Sequence, residues 1–261
     1  MMGQALGGVL PAAATVIMIT FEVEPKLLGP ACFGVVDGLL ILAFIFERWL
    51  SKNKFFLYYA EGIGNVITGD TTDHDREVDE LCYKDIFKKS WMYLLGGWMV
   101  YGTTLSIMPA LTTIVDSVNV TEWADKYFTP VACVLLFNVS DLIGRTLSTI
   151  IQLPGRSKQG KTIYLLIQVM RLSFIPLFMY CNAAPESRSL PVIFQSDVVF
   201  CCLIVMLGLS VGYMGNLSLI HAPKTSDMAQ SQEATSLILT SFFVFGQATG
   251  SFGSYFIMKS L

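Results

Sequence analysis

The sequence predicts an all-α membrane protein of seven transmembrane helices, and three observations carry that expectation. Of 261 residues, 53% are hydrophobic and only 14% are charged, where a soluble domain carries roughly 25% charged residues. Mean hydropathy is +0.58. Seven apolar segments are long enough to cross a hydrocarbon core that needs ~20 residues of helix. They are Met1–Phe21, Leu27–Phe46, Ser90–Val115, Tyr127–Ile151, Thr162–Ala184, Val198–Ile220 and Ala234–Met258, and the first, third, sixth and seventh hold no charge. A barrel is excluded, because a spanning strand takes only ~9–11 alternating residues and these runs are longer and do not alternate.

The first segment lacks the basic n-region of a signal peptide and its apolar run is long for one, so it reads as a span. A short turn, Glu22-Val-Glu-Pro-Lys26, leads to the second span, and residues 1–50 are expected to form two helices of one bundle. Residues 51–89 are the longest polar stretch and read as a cytosolic loop. Its acidic run Asp70–Glu80 supplies most of the net charge of −3 and reads as a solvated segment. Residues 90–261 hold five closely spaced spans, expected to form a second bundle. In the third span, Pro109 frees the carbonyl of Leu105 and bends or breaks the helix. Broken, Thr-rich helices line transporter cavities; a purely structural kink with hydroxyls bonded back to the helix is the alternative. In the fifth span, Arg171 is a lone central charge followed by Pro176 and Tyr180. It needs an acid or backbone carbonyls; Asp37, Glu233 and Asp141 are candidates, and a structural anchor is its favoured role. Gly208 and Gly212, like Gly246 and Gly250, stand four apart and point to close helix packing rather than a phosphate loop. In the last span Thr240, Gln247, Ser251 and Ser254 share a face.

Lys and Arg counts in the loops set the orientation. With a cytosolic N-terminus, the inner loops hold Arg48, Lys52, Lys54, Arg76, Lys84, Lys88, Lys89, Arg156, Lys158, Lys161 and Lys224, while the outer side holds Lys26, Lys126, Arg188 and Lys259. Eleven against four places the C-terminus outside. It also opposes a seven-helix receptor, which needs its N-terminus out. Asn119-Val-Thr121 is then an outer glycosylation triplet.

No nucleophile–His–acid set, Walker loop or zinc motif occurs, so neither an enzyme nor a cofactor nor a metal is expected. The two histidines, His74 and His221, are far apart, and the cysteines lack metal spacing. Most cysteines read as small buried hydrophobes. Without a basic stripe, nucleic acid is not an expected partner; the bilayer is.

The fourth span carries the chemistry. Asp141 and Arg145 lie centrally in 25 otherwise apolar residues, and insertion of two central charges costs roughly 5–7 kcal/mol. Its twelve Leu, Ile, Val and Phe return about 0.3–0.6 kcal/mol each. The charges therefore face protein or a water-filled path, not lipid. Asn138, Asp141, Arg145, Ser148 and Gln152 step by 3, 4, 3 and 4, forming one stripe. A buried interhelical network and a cavity lining both fit, and five polar groups exceed what one packing contact needs.

These residues resemble the equilibrative nucleoside transporter family over essentially the whole chain. Phe137-Asn-Val-Ser-Asp-Leu-Ile-Gly-Arg145 is similar to its Phe-Asn-x-x-Asp-x-x-Gly-Arg signature, and Thr104-Leu-Ser-Ile-Met-Pro-Ala-Leu-Thr112 to its Pro-Ala kinked helix. Arg171 through Pro176 to Cys181-Asn182 resembles its Arg…Pro…Cys-Asn helix. Gly212-Tyr-Met, Ala222-Pro-Lys224 and Gln232-Glu-Ala-Thr235 resemble its next conserved segment, with Ala222 where Gly usually stands, and Gly3-Gln-Ala-Leu-Gly7 resembles its fifth helix. The resemblance implies part of a major-facilitator-like fold of eleven spans, of which this chain carries the last seven, and a facilitative nucleoside or nucleobase transporter in the plasma membrane. The four missing N-terminal helices are expected from a longer chain, and the truncated chain alone is expected not to transport. By the same resemblance Asn138, Asp141 and Arg145 meet sugar hydroxyls. Met108, Val134 and Gln247 line the cavity, and Pro109, Arg171, Pro176, Gly246 and Gly250 shape or gate it. Gln247 is polar where some members are apolar, and Met108 stands where an aromatic can occur.

Overall fold

Proline decides where the apolar segments stop being regular helix. The computed structural model describes residues 2–22, 25–53, 56, 83–118, 121–183, 191–226 and 229–261; His74, the acidic run at 70–80, Cys82 and Asn119 lie outside the described residues. Helix α1 (Met2–Thr20) and α2 (Pro25–Leu50) carry Pro11 and Pro30 within them. Helix α3 (Tyr83–Ile107) begins before the apolar run, so Lys84, Lys88 and Lys89 extend it as helix rather than loop. It stops two residues short of Pro109, and a 3-10 turn, Thr112–Ile114, follows.

The fourth expected span, Tyr127–Ile151, is not one uniform helix but a π-helical stretch followed by an α-helix, with a short helix ahead of it. Helix α4 (Glu122–Tyr127) is capped by Thr121, whose hydroxyl accepts from the Ala124 N–H at 3.2 Å. A π-helical stretch, Phe128–Leu135, leads into α5 (Leu136–Ile150). Pro130 inside the stretch has no N–H to give, and at its end the Leu136 N–H reaches the Val131 carbonyl five residues back. The fifth span is broken as well, into α6 (Lys158–Arg171) and α7 (Phe174–Met179). Pro176 offers no N–H to the carbonyl of Leu172, and its ring crowds that oxygen. Helices α8 (Asp197–His221) and α9 (Ala229–Ser260) complete the chain.

Among the described residues, six helical stretches are long and apolar enough to cross a membrane. Helix α9, with 32 residues, is long enough at ~1.5 Å per residue, but its Ser, Thr and Gln residues make it less apolar. The chain is an all-α, multi-pass integral membrane protein; among the described residues the only strand-like pairing is two isolated bridges.

Residues 1–19 and 81–261 form one compact unit, and residues 20–80 another. In the smaller unit α2 exposes nearly all of its apolar surface, and the Arg48 guanidinium lies 5.3 Å from the Phe44 ring centroid. The larger unit is built on close backbone approach, as expected where lipid offers no hydrophobic drive for helix pairing. Gly246 and Gly250 of α9 lie against the Trp98 and Gly102 carbonyls of α3, where a Cβ would overlap those oxygens. Trp98 Nε1 donates to Thr249 Oγ1 at 3.0 Å across the same contact. Helices α5 and α8 meet in the same manner: Gly208 sits on Ser140 and the Phe137 carbonyl, Gly212 on Asp141, and Gly144 on the Leu209 carbonyl. One apolar core gathers Ile107, Phe128, Phe178, Phe200 and Ile204; a second gathers Tyr93, Tyr164, Leu217, Leu239 and Phe243.

Candidate functional site

The close α5–α8 contact holds the charge stripe in place. Asn216 of α8 donates from Nδ2 to Ser148 Oγ at 2.8 Å and to the Arg145 carbonyl at 3.3 Å. Ser148 Oγ donates to that carbonyl at 2.8 Å, so the rotation of α5 is fixed one turn from the ion pair. Asp141 and Arg145 are four residues apart and each is 7% exposed. Asp141 Oδ2 accepts from Arg145 Nε at 2.8 Å. The other carboxylate oxygen, Oδ1, is buried with no hydrogen-bond partner among the described residues.

Helix α1 reaches the same place. Arg145 Nη1 donates to Gln4 Oε1 at 3.2 Å. One turn along α1, Gly8 lies directly against the Asn138 side-chain amide, and Asn138 Nδ2 donates to the Val134 carbonyl at 2.8 Å. The Tyr101 phenol of α3 also stands beside the Arg145 guanidinium. A carboxylate that accepts, a guanidinium that donates and the half-buried Asn138 carboxamide, which does both, thus converge on one patch, and Gln4 reaches its edge from an exposed position on α1. Such a patch suits a polar, uncharged molecule rich in hydroxyls, since it offers both hydrogen-bond roles without demanding a net charge.

Asn138, Asp141 and Arg145 are brought together; the other expected residues stand elsewhere. Val134 lies in the π-helical stretch and Met108 just after α3, and both pack half-buried against the Phe178 core. Met108 Sδ accepts from Thr112 Oγ1 at 2.8 Å. Gln247 is exposed on α9, and Gln152 is exposed beyond the end of α5. Pro109 and Pro176 are exposed at the helix breaks.

Arg171 is 3% exposed, and its hydrogen bonds go to neutral acceptors rather than to an acid. It donates to Ser210 Oγ at 3.1 Å, Thr104 Oγ1 at 3.0 Å, Gln168 Oε1 at 3.2 Å and the Val100 carbonyl at 3.4 Å. Of the expected acids, Asp141 is held by Arg145 and Glu233 is exposed on α9, while Asp37 belongs to the separate unit. Gln4 and Tyr101 were missed by sequence reasoning. Gln4 is the lone carboxamide in an otherwise apolar first segment, which was the available signal; Tyr101 gave none, because a tyrosine in a span reads as apolar.

Comparison with known proteins identifies the family of the chain. The family described as Nucleoside transporter matches residues 1–259. The chain is 29% identical to Equilibrative nucleoside transporter 2 of Rattus norvegicus over 99% of its own length and 64% of that protein's. It is 35% identical to Equilibrative nucleoside transporter 3 of Rattus norvegicus over 95% of its own length and 55% of that protein's. With Equilibrative nucleoside transporter 1 of Homo sapiens it shares 27% identity, covering 98% of this chain and 60% of the relative. The chain therefore spans less than two-thirds of the length of these curated relatives. A family match over almost every residue, including each helix that builds the patch, places the chain in the equilibrative nucleoside transporter family.

Proposed function

We propose that the protein carrying this chain is a facilitative nucleoside or nucleobase transporter, with Asp141, Arg145 and Asn138 as its solute contacts. The observation that carries the reading is the buried Asp141–Arg145 pair, whose carboxylate keeps one oxygen, Oδ1, without a partner among the described residues. A buried acceptor without a partner costs about 1–3 kcal/mol, and a ribose hydroxyl would remove that cost by donating to it. Met108, Val134 and Gln247 belong to the same reading as lining of the cavity that opens when the helices separate. Residues 1–50 would supply two helices of one bundle and residues 90–261 the other, joined by a cytosolic connector at 51–89. Rocking of the bundles about a midplane site gives alternating access. The charge asymmetry of the loops supports a cytosolic N-terminus and an outer C-terminus, and the membrane proposed is the plasma membrane.

The test is uptake of labelled uridine and adenosine by cells expressing the protein. Arg145→Ala and Asp141→Asn should each reduce saturable uptake at least about tenfold while surface expression persists. Uptake unchanged in both would show that the pair is purely structural.

A further inference from the structure

We propose that Gln4 is a latch on the unloaded site: its carboxamide takes the Arg145 donor that an arriving solute takes, and the solute frees α1 by displacing it. The proposal rests on the reading of Asp141 and Arg145 as solute contacts.

Three features of α1 support it. First, Gln4 Oε1 is a neutral acceptor at 3.2 Å from Arg145 Nη1. A bond from a guanidinium to a neutral oxygen is charge-assisted from one side only, so the carboxamide and a solute hydroxyl are acceptors of the same kind and can be exchanged, where a second carboxylate would hold the guanidinium as an ion pair. Second, Gly8 follows Gln4 by one turn and lies against the Asn138 amide so closely that a Cβ would overlap its Oδ1. Helix α1 thus covers the Arg145 donor and the Asn138 amide together. Third, Gly3 and Gly7, on the neighbouring face of α1, have no atom within 4 Å of where a Cβ would stand. Ala5 and Ala12 are 3% and 5% exposed, so the packed face of α1 runs through Ala5, Gly8 and Ala12 and leaves Gly3 and Gly7 open, and beside it the Gln4–Arg145 bond is the contact that a solute oxygen can exchange.

The geometry offers a direct measurement. A Cβ at Gly8 would stand 3.8 Å from the Asn138 Cβ, within the ~3.5–4.5 Å that a disulfide needs. Gly8→Cys with Asn138→Cys, oxidised with copper phenanthroline in membranes without solute, should cross-link, whereas neither single variant should do so with a native cysteine. Adding Gln4→Leu should slow the reaction about tenfold. Absence of the cross-link, or a rate indifferent to Gln4, would overturn the latch. In a protein with Gly8 and Asn138 intact, Gln4→Leu should slow net uridine efflux about tenfold while sparing uridine exchange, because only the empty carrier needs the latch to close. Equal effects on both fluxes would mark Gln4 as merely structural and also overturn it. A Gln4-dependent cross-link in a protein that moves no uridine would uphold the latch and sink the nucleoside reading instead.

Discussion

Removing one charge of the Asp141–Arg145 pair should destabilise the protein, and removing both should restore most of its stability. Each residue is 7% exposed, and they share a 2.8 Å contact. Arg145→Met leaves a buried carboxylate with neither its counter-charge nor its hydrogen bond, and breaking a buried pair in this way costs about 3–5 kcal/mol. Replacing both partners by apolar groups of similar size is often neutral or stabilising, so Asp141→Leu combined with Arg145→Met should recover most of that loss. For a chain of this size about 2–4 °C of melting temperature accompanies each kcal/mol, so the single variants should melt on the order of 10 °C lower and the double variant near the parent. Thermal unfolding of the detergent-solubilised protein measures the shift, and labelled uridine uptake is measured beside it. Uptake should be absent in the double variant although its stability has returned. A double variant that transports would reduce the pair to a packing device. A double variant that loses the sum of the two single losses would show that the two charges do not depend on each other.

Gly212→Ala puts a methyl onto the Asp141 carbonyl and should cost about 1–3 kcal/mol by overpacking. Gly7→Ala, with open space around it, should leave melting unchanged or slightly raised by better helix propensity. Arg171→Lys keeps the charge but not the planar fork that reaches four acceptors on three helices. It should lower melting temperature without raising the KM for uridine, and a raised KM at unchanged stability would instead make Arg171 a solute contact. An epitope tag after Leu261 should be reached by antibody on intact cells and a tag near Asp75 should not; the reverse pattern would invert the orientation read from the loop charges.

The spans were legible because a bilayer imposes a length, and runs such as Val198–Ile220 have no other use for so many apolar residues. The break at Pro109 was legible from the chemistry of a missing N–H, and Pro176 interrupts its helix by the same chemistry although no break was read there. The π-helical stretch Phe128–Leu135 was not, since changing the bonding step over eight residues leaves apolar composition untouched. The ion pair was legible because charge in a membrane is costly wherever it sits. What α1 does to that pair was not. Gln4 is a single polar residue far from Arg145 in sequence, and only the close passage at Gly8 brings them together.

The same reasoning separates the two intramembrane arginines, which hydropathy treats alike. Arg171 is spent: its guanidinium donates to α3, to α8 and to Gln168 on its own helix, so its bonds tie the bundle together and breaking them would loosen it. Arg145 is held differently. Its Nε is fixed by an acid on its own helix, while Nη1 turns toward a neutral residue of α1, at a place where that acid's second oxygen has no partner among the described residues. A buried polar group that is fully satisfied within one bundle specifies packing, whereas one completed from another helix with an exchangeable partner can change state as that helix moves. By that criterion Asp141 and Arg145 are the proposed working centre, and Arg171 is proposed as the anchor that keeps the helices around it from yielding.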